Sequence, residues 1–152
     1  MAGADVTLPR MSTPRPDHAA LCDELRARGL RATASRVAVL DGLRRRGAPA
    51  SHGEMAEALS EGPWNRTTVY RNLLDLARVG LARRFDVGDR VWRYEAVGSR
   101  GGHPHFVCDR CGDVACLDGV ELALGEPRRA PRALRERDVE VAVLGRCDRC
   151  AG

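Results

Sequence analysis

The sequence predicts an α+β chain: an N-terminal winged helix-turn-helix unit followed by a small C-terminal α/β unit. Three observations lead there. Apolar residues recur at helical spacing through four consecutive segments, and the pattern then switches to the two-residue period of a hairpin. Charge and cysteine divide unevenly between the two parts. Residues 1–96 carry 16 arginines against 12 acids, net +4, whereas residues 97–152 carry 9 of each. Five of the six cysteines (Cys108, Cys111, Cys116, Cys147, Cys150) lie in the second part. Four of them form two Cys-x-x-Cys pairs at its opposite ends, a pattern suited to stapling a unit with few core residues.

Residues 1–16 contain Pro9, Pro14 and Pro16 and no apolar period, and read as a flexible tail. A helix begins at Asp17, with Ala20, Leu21 and Leu25 on one face, and Gly29 follows Arg28 as a C-terminal cap. Thr33 caps a second helix in which Val37, Leu40 and Leu43 recur every three residues. Arg44-Arg45-Arg46-Gly47 ends it. Arginines in a last turn suit the helix dipole, which accounts for them without any DNA contact. Ser51 and Glu54 have capping-box spacing for a third helix through Met55 and Leu59, stopping near Gly62-Pro63. Asn65 caps a fourth helix from Arg66 to Val79, closed by Gly80. Its apolar stripe is Val69, Leu73, Leu76 and Val79; its other face carries Arg66, Thr67, Tyr70, Arg71 and Asp75. Leu81–Phe85 and Val91–Glu95 then read as strands around a Val87-Gly88-Asp89 turn. Helices followed by a basic hairpin make the winged form of the helix-turn-helix, with one helix in the major groove and the wing on the backbone. Residues 97–102 form a small-residue hinge, so the winged unit is 17–96 and the second unit 103–152. In that second unit His105–Val107, Val114–Leu117 and Val139–Leu144 read as strands, separated by a segment carrying Pro127 and Pro131.

Composition narrows the function. With 43% apolar and 30% charged residues in 152, a packed core is expected. All 25 basic residues are arginine and the net charge is +4. Arginine's planar fork suits phosphates and guanine edges, although biased codon usage would give the same composition. No apolar run reaches the length of about 18 residues that a membrane span needs. Met1 to Pro16 lacks the apolar core of a signal peptide, so no membrane partner and a reducing, cytoplasmic setting are expected. There, paired cysteines hold metal more often than they form disulfides. Six aromatics are too few for an RNA-stacking platform.

Cys108-x-x-Cys111 with Cys147-x-x-Cys150 places four thiolates around a structural Zn²⁺. Each pair is followed by a small residue, Gly112 or Ala151, which eases the turn. The 35 intervening residues must hold a strand-helix-strand excursion. A redox pair is the competing reading, but such a pair opens a helix, and neither of these is expected to. A second cluster comprises His103, His105, Cys116 and Glu95. On a strand, positions i and i+2 point to one side, so both imidazoles share a face while Cys108 turns to the other. A metal held by these four would span the hinge. Solvent-exposed histidines and a buried core thiol are the alternatives. Cys22 reads as a small core residue, His18 as surface, and Trp64 and Trp92 as packing residues.

Taken in order, Gly29-Leu30-Arg31-Ala32-Thr33, Thr68-Val69-Tyr70-Arg71-Asn72-Leu73, Arg93-Tyr94-Glu95, His103-Pro104-His105-Phe106-Val107-Cys108-Asp109-Arg110-Cys111-Gly112 and Gly145-Arg146-Cys147-Asp148-Arg149-Cys150 resemble the ferric-uptake-regulator (Fur) family over about residues 18–150. The resemblance implies a homodimeric, metal-dependent repressor with a winged helix, a hinge and a dimerisation domain holding structural zinc. It places Tyr70 and Arg71 on the recognition helix, Arg31 in the minor groove, and Glu95, His103 and His105 among the ligands of the hinge-region sensory site. Cys116 falls where iron and peroxide sensors have a carboxylate. The family's further histidine before the third helix corresponds to Pro49, with His52 nearest. The positions of an additional carboxylate-histidine site hold Gly102, Pro104 and Val139, leaving Glu121 as the nearby carboxylate.

The expected function is thus a metal-responsive repressor that binds a palindromic double-stranded DNA operator as a homodimer. Arg31, Arg66, Thr67, Tyr70 and Arg71 would contact DNA, and Glu95, His103, His105, Cys116 and His52 would serve the sensory metal. A thiolate with two imidazoles and one carboxylate is a softer set than an oxygen-rich one, which favours Zn²⁺ over Fe²⁺ or Mn²⁺ as the second, regulatory metal. An iron-sensing or a peroxide- or thiol-sensing regulator of the same family is the alternative. A zinc or thiol enzyme would need an open coordination position and a general base, which four cysteines do not supply.

Overall fold

A computed structural model describes residues 17–98, 103–117, 119–121, 123, 125, 130–135, 139 and 141–152. The expected tail 1–16, hinge residues 99–102 and Pro127 lie outside the described residues. The chain is α+β, with a winged helix-turn-helix followed by a small unit of strands and short helices.

Side-chain caps set the helix starts. Asp17 accepts the Ala19 amide at the head of α1 (His18–Ala27), and Thr33 accepts the Arg36 amide at the head of α2 (Ala34–Arg46). Gly47 closes α2 in the left-handed region, at φ 58°, where a side chain would be strained. At α3 (His52–Ala58) the Ser51 hydroxyl takes the Glu54 amide, and the Glu54 carboxylate takes the Ser51 amide in return. Asn65 caps α4 (Arg66–Arg78). Between α2 and α3, Ala50–Ser51 forms β1, a strand of two residues too short for any sequence period.

The wing is β2 (Ala82–Phe85) and β3 (Arg93–Ala96), antiparallel, with β3 in the centre of a β1-β3-β2 sheet. The second strand starts two residues later than its alternation predicts, because the loop consumes those residues. The Asp86 carboxylate accepts the amides of Gly88 and Arg90, and the Asp89 carboxylate accepts that of Val91. Arg90 is held there at φ 63°.

A second sheet has the order β5-β4-β6: β5 (Val114–Cys116), β4 (His105–Cys108) and β6 (Ala142–Gly145). Hairpin pairing joins β4 to β5, whereas β6 runs parallel to β4 and registers Cys108 opposite Gly145. The last strand is therefore shorter than the expected Val139–Leu144 and shifted toward the second cysteine pair. A four-residue helix, α5 (Arg132–Arg135), lies in the excursion, and α6 (Asp148–Ala151) follows β6.

The core is one-sided. Leu21, Leu25, Val37, Leu40, Leu43, Met55, Val69, Leu73, Leu76 and Tyr94 pack in one cluster belonging to the winged unit. In the second unit, among the described residues, only His105, Val107 and Cys108 are buried. Its strand β6 leaves Val143 and Leu144 exposed, Leu144 at 67%. Among the described residues no helix is long and apolar enough to cross a membrane.

Candidate metal centres and nucleic-acid face

The sulfurs of Cys108, Cys111, Cys147 and Cys150 lie within 4.8 Å of one another. Two turns bring them together. Gly112, at φ 72°, donates its amide to the Cys108 carbonyl and closes the first. In the second, Cys147 stands at the head of α6 and its carbonyl takes the Cys150 and Ala151 amides. This corrects the expectation that neither pair opens a helix: two amides returning to the Cys147 carbonyl wind Asp148–Ala151 into a single helical turn. The sulfurs of Cys111 and Cys147 are 3.7 Å apart. A tetrahedral ZnS₄ centre with bonds of about 2.3 Å has sulfur–sulfur edges of about 3.8 Å, so the set fits that ion. Bonds from the Cys111 and Cys147 amides draw the Cys108 thiol down to about 6. Cys150 is pushed up to about 12, chiefly by its contact with the Cys147 sulfur. Arg149 pairs with Asp113 at 2.6 Å beside the cluster.

The second cluster gathers Glu95, His103, His105 and Cys116, again within 4.8 Å. Glu95 comes from the central strand of the wing sheet. Nε2 of His103 is 2.9 Å from its Oε1, and Nε2 of His105 is 3.1 Å from its Oε2. His103 precedes β4 rather than lying in it, yet both rings reach the same carboxylate. The Cys116 thiol is 3.1 Å from Glu95 Oε1 and 3.5 Å from the Gly47 carbonyl oxygen. Phe85 stacks on the His105 ring, with centroids 4.7 Å apart. His105 is 1% exposed and Glu95 7%. Burial opposes the Glu95 charge most strongly, but bonds from His105 and Cys116 and the nearby imidazole charge outweigh it and hold the carboxyl below its ordinary value. His103 Nδ1 is buried without a hydrogen-bond partner among the described residues. One carboxylate, two imidazoles and a thiol suit a borderline-soft divalent ion.

His52 is elsewhere. Its Nε2 lies 2.9 Å from the Arg66 carbonyl oxygen and its ring packs against Tyr70, 5.1 Å between centroids. Glu121 is exposed and belongs to neither cluster. Cys22 is half-buried rather than sealed in the core, with its sulfur 3.6 Å from Nδ1 of exposed His18. On α4, Arg66, Thr67, Tyr70 and Arg71 are exposed, and Arg31 is exposed in the turn between α1 and α2. Trp64 packs against the core as expected. Trp92 does not: it is 48% exposed on the wing, with the Arg84 guanidinium 3.8 Å above its ring.

Sequence patterns missed Arg93. It is buried, grips Asp89 through two bonds of 2.9 and 2.8 Å, and donates to the Gly112 carbonyl beside the first cysteine pair at 3.3 Å. An arginine in a basic strand looks solvated; only the acid four residues earlier hints at a partner.

Residues 27–133 match the sequence profile of the ferric uptake regulator family. The chain is 36% identical over 115 residues to the transcriptional regulator FurA of Mycobacterium tuberculosis, covering 73% of this chain and 71% of that protein. It is also 36% identical over 95 residues to ferric uptake regulation protein 1 of Mycolicibacterium fortuitum, covering 62% of this chain and 58% of that relative's length. Its fold is similar to that of the ferric uptake regulator Fur of Helicobacter pylori, at a TM-score of 0.64 and 16% identity, over 91% of this chain and 96% of that one.

Proposed function

Because this chain belongs to the ferric uptake regulator family, we propose that it is a metal-responsive, DNA-binding transcriptional repressor that acts as a homodimer and senses zinc. In this reading residues 17–96 bind DNA, 97–102 are a hinge, and 103–152 form a zinc-holding dimerisation unit. The observation that carries it is the origin of the Glu95, His103, His105 and Cys116 cluster. Glu95 stands on the wing sheet; the other three belong to the second sheet and its approach. These four side chains can share one ion only while the two units keep this mutual orientation.

A bound divalent ion supplies a Lewis acid that makes the four donors cohere. Glu95 and the imidazoles then hold the wing against β4 and β5. In a homodimer this sets the separation at which two α4 helices meet a palindromic operator. The closed orientation has to bind the ion more tightly than the open one, or no population shifts. Arg66, Thr67, Tyr70 and Arg71 on α4 read bases and phosphates, and Arg31 contacts the duplex beside them. Cys108, Cys111, Cys147 and Cys150 hold the structural zinc. Exposed Val143 and Leu144 on β6 support dimerisation, since an apolar edge strand is rarely left in water.

The thiol of Cys116 favours zinc as the sensed ion. The relatives' names, ferric uptake regulators, favour iron as the second reading. Protein purified without added metal should carry two zinc ions per chain, falling to one in Cys116→Ser; an unchanged count removes Cys116 from the ligand set, and iron in the second site selects the iron reading. Operator affinity should rise with Zn²⁺ and fall with a chelator. Equal affinity in both conditions overturns metal gating.

A further inference from the structure

Arg36 belongs to neither metal cluster and to no exposed face of α4. It stands in the first turn of α2 with its side chain 15% exposed, and it joins two elements. Its Nη1 donates to the Arg31 carbonyl oxygen at 2.7 Å, and its Nη2 donates to Asp75 Oδ2 on α4 at 2.6 Å. The Arg31 carbonyl also accepts the Thr33 amide at 2.9 Å, so that peptide is pinned on both lone pairs while the Arg31 side chain stays exposed. Asp75 lies one helical turn beyond Arg71 and therefore on the same face of α4. Its other oxygen, Oδ1, is occupied by Arg78 at 3.2 Å. A planar fork reaching a carbonyl on one side and a carboxylate on the other fixes both distance and angle, which a single ammonium cannot do.

We propose that Arg36 is a positioning residue for DNA recognition: it fastens the turn bearing Arg31 to the Arg71 face of α4, so that the two contacts meet the duplex at one set separation. The proposal rests on the DNA-binding reading above. It treats the turn and the helix as one rigid reader rather than two independent contacts. A small misplacement of a contact group removes its interaction almost as fully as deleting it.

Zinc-loaded wild-type protein is used to select a duplex from a random-sequence pool, and binding to that duplex is measured against salt concentration. Arg31→Ala should lower the slope of log affinity on log salt by about 0.9 per subunit, the value of one lost phosphate contact. Arg36→Gln should lower it equally, and the Arg31→Ala/Arg36→Gln double variant no further than either alone. Arg36→Lys, which keeps the charge but not the fork, should behave as Arg36→Gln does. Zinc content and melting temperature report whether each variant is folded. Asp75→Asn breaks the α4 end of the link while leaving Arg36 on Arg31, and gives the same readout should Arg36→Gln fail to fold. A cost of Arg36→Gln that adds in full to that of Arg31→Ala overturns the proposal, because Arg36 then acts through a contact of its own. An unchanged slope in both Arg36→Gln and Asp75→Asn also overturns it. If the wild-type chain selects no duplex, the DNA-binding reading itself falls and takes this one with it.

Discussion

Asp89 is one of the wing carboxylates that respond to acid in the folded chain. Two donors from Arg93 hold its carboxyl at about 2, against an ordinary 3.8. The folded chain therefore takes up this proton less readily than the unfolded chain, and the carboxylate stabilises the fold at neutral pH. That contribution is complete above about pH 4 and is lost as pH falls from there toward 2. In Asp89→Asn it is missing throughout. The gap in urea midpoint between wild type and variant should stay constant from pH 7 to about 4 and narrow below that. A gap that closes already near pH 6 would assign the effect to another group. The same pair shows why single residues escape sequence reading. Arg93 looks like one more basic residue on a solvated strand, and one of its acceptors, the Gly112 carbonyl, is distant in sequence and near in space.

At the level of elements, the helices were legible because their starts are chemical. Asp17, Thr33, Ser51 and Asn65 each cap the helix that the local sequence predicts. Ser51→Ala should lower stability by about 1 kcal/mol, within the usual range of about 0.5–2, through loss of the Glu54 amide's acceptor. Thermal unfolding of Ser51→Ala beside wild type measures it, and an unchanged midpoint would show water replacing the cap without loss. Strands were less legible. The wing loop takes Val91 and Trp92 out of the predicted strand through Asp86 and Asp89, and β1 has only two residues. In the second sheet, register follows the meeting of two cysteine pairs rather than an apolar alternation, and β6 moves accordingly. The candidate metal residues were legible as a set, since cysteine and histidine spacing is itself chemical. Glu95 was legible as a partner of the two imidazoles from its place at the end of the wing strand across the hinge, and the family likeness points to the same residue. His52 was misleading: it is the histidine nearest in sequence to the family position at Pro49, but its ring turns to the Arg66 carbonyl.

Across the whole molecule, stability is unevenly supplied. The apolar cluster lies within residues 21–94, and the second unit has three buried residues among those described. Among the described residues of that unit, the four clustered thiols are positioned to add, through a bound ion, to what so few buried side chains supply. Stripping metal with a chelator should abolish amide protection at Phe106, Val107, Val143 and Leu144 while α2 and α4 keep theirs, as hydrogen exchange would record. Simultaneous loss in α2 would show that the two units unfold as one. The same asymmetry bears on how the chain is made. The pair Cys147 and Cys150 is separated from Cys111 by 35 intervening residues. A nascent chain thus completes α1 to α4 while Cys108 and Cys111 have no second pair to meet. For that interval the two are an unfinished claw, open to any thiophilic ion or oxidant in the surrounding fluid. Maturation is accordingly a race between the arrival of the last thiols and the capture of the first.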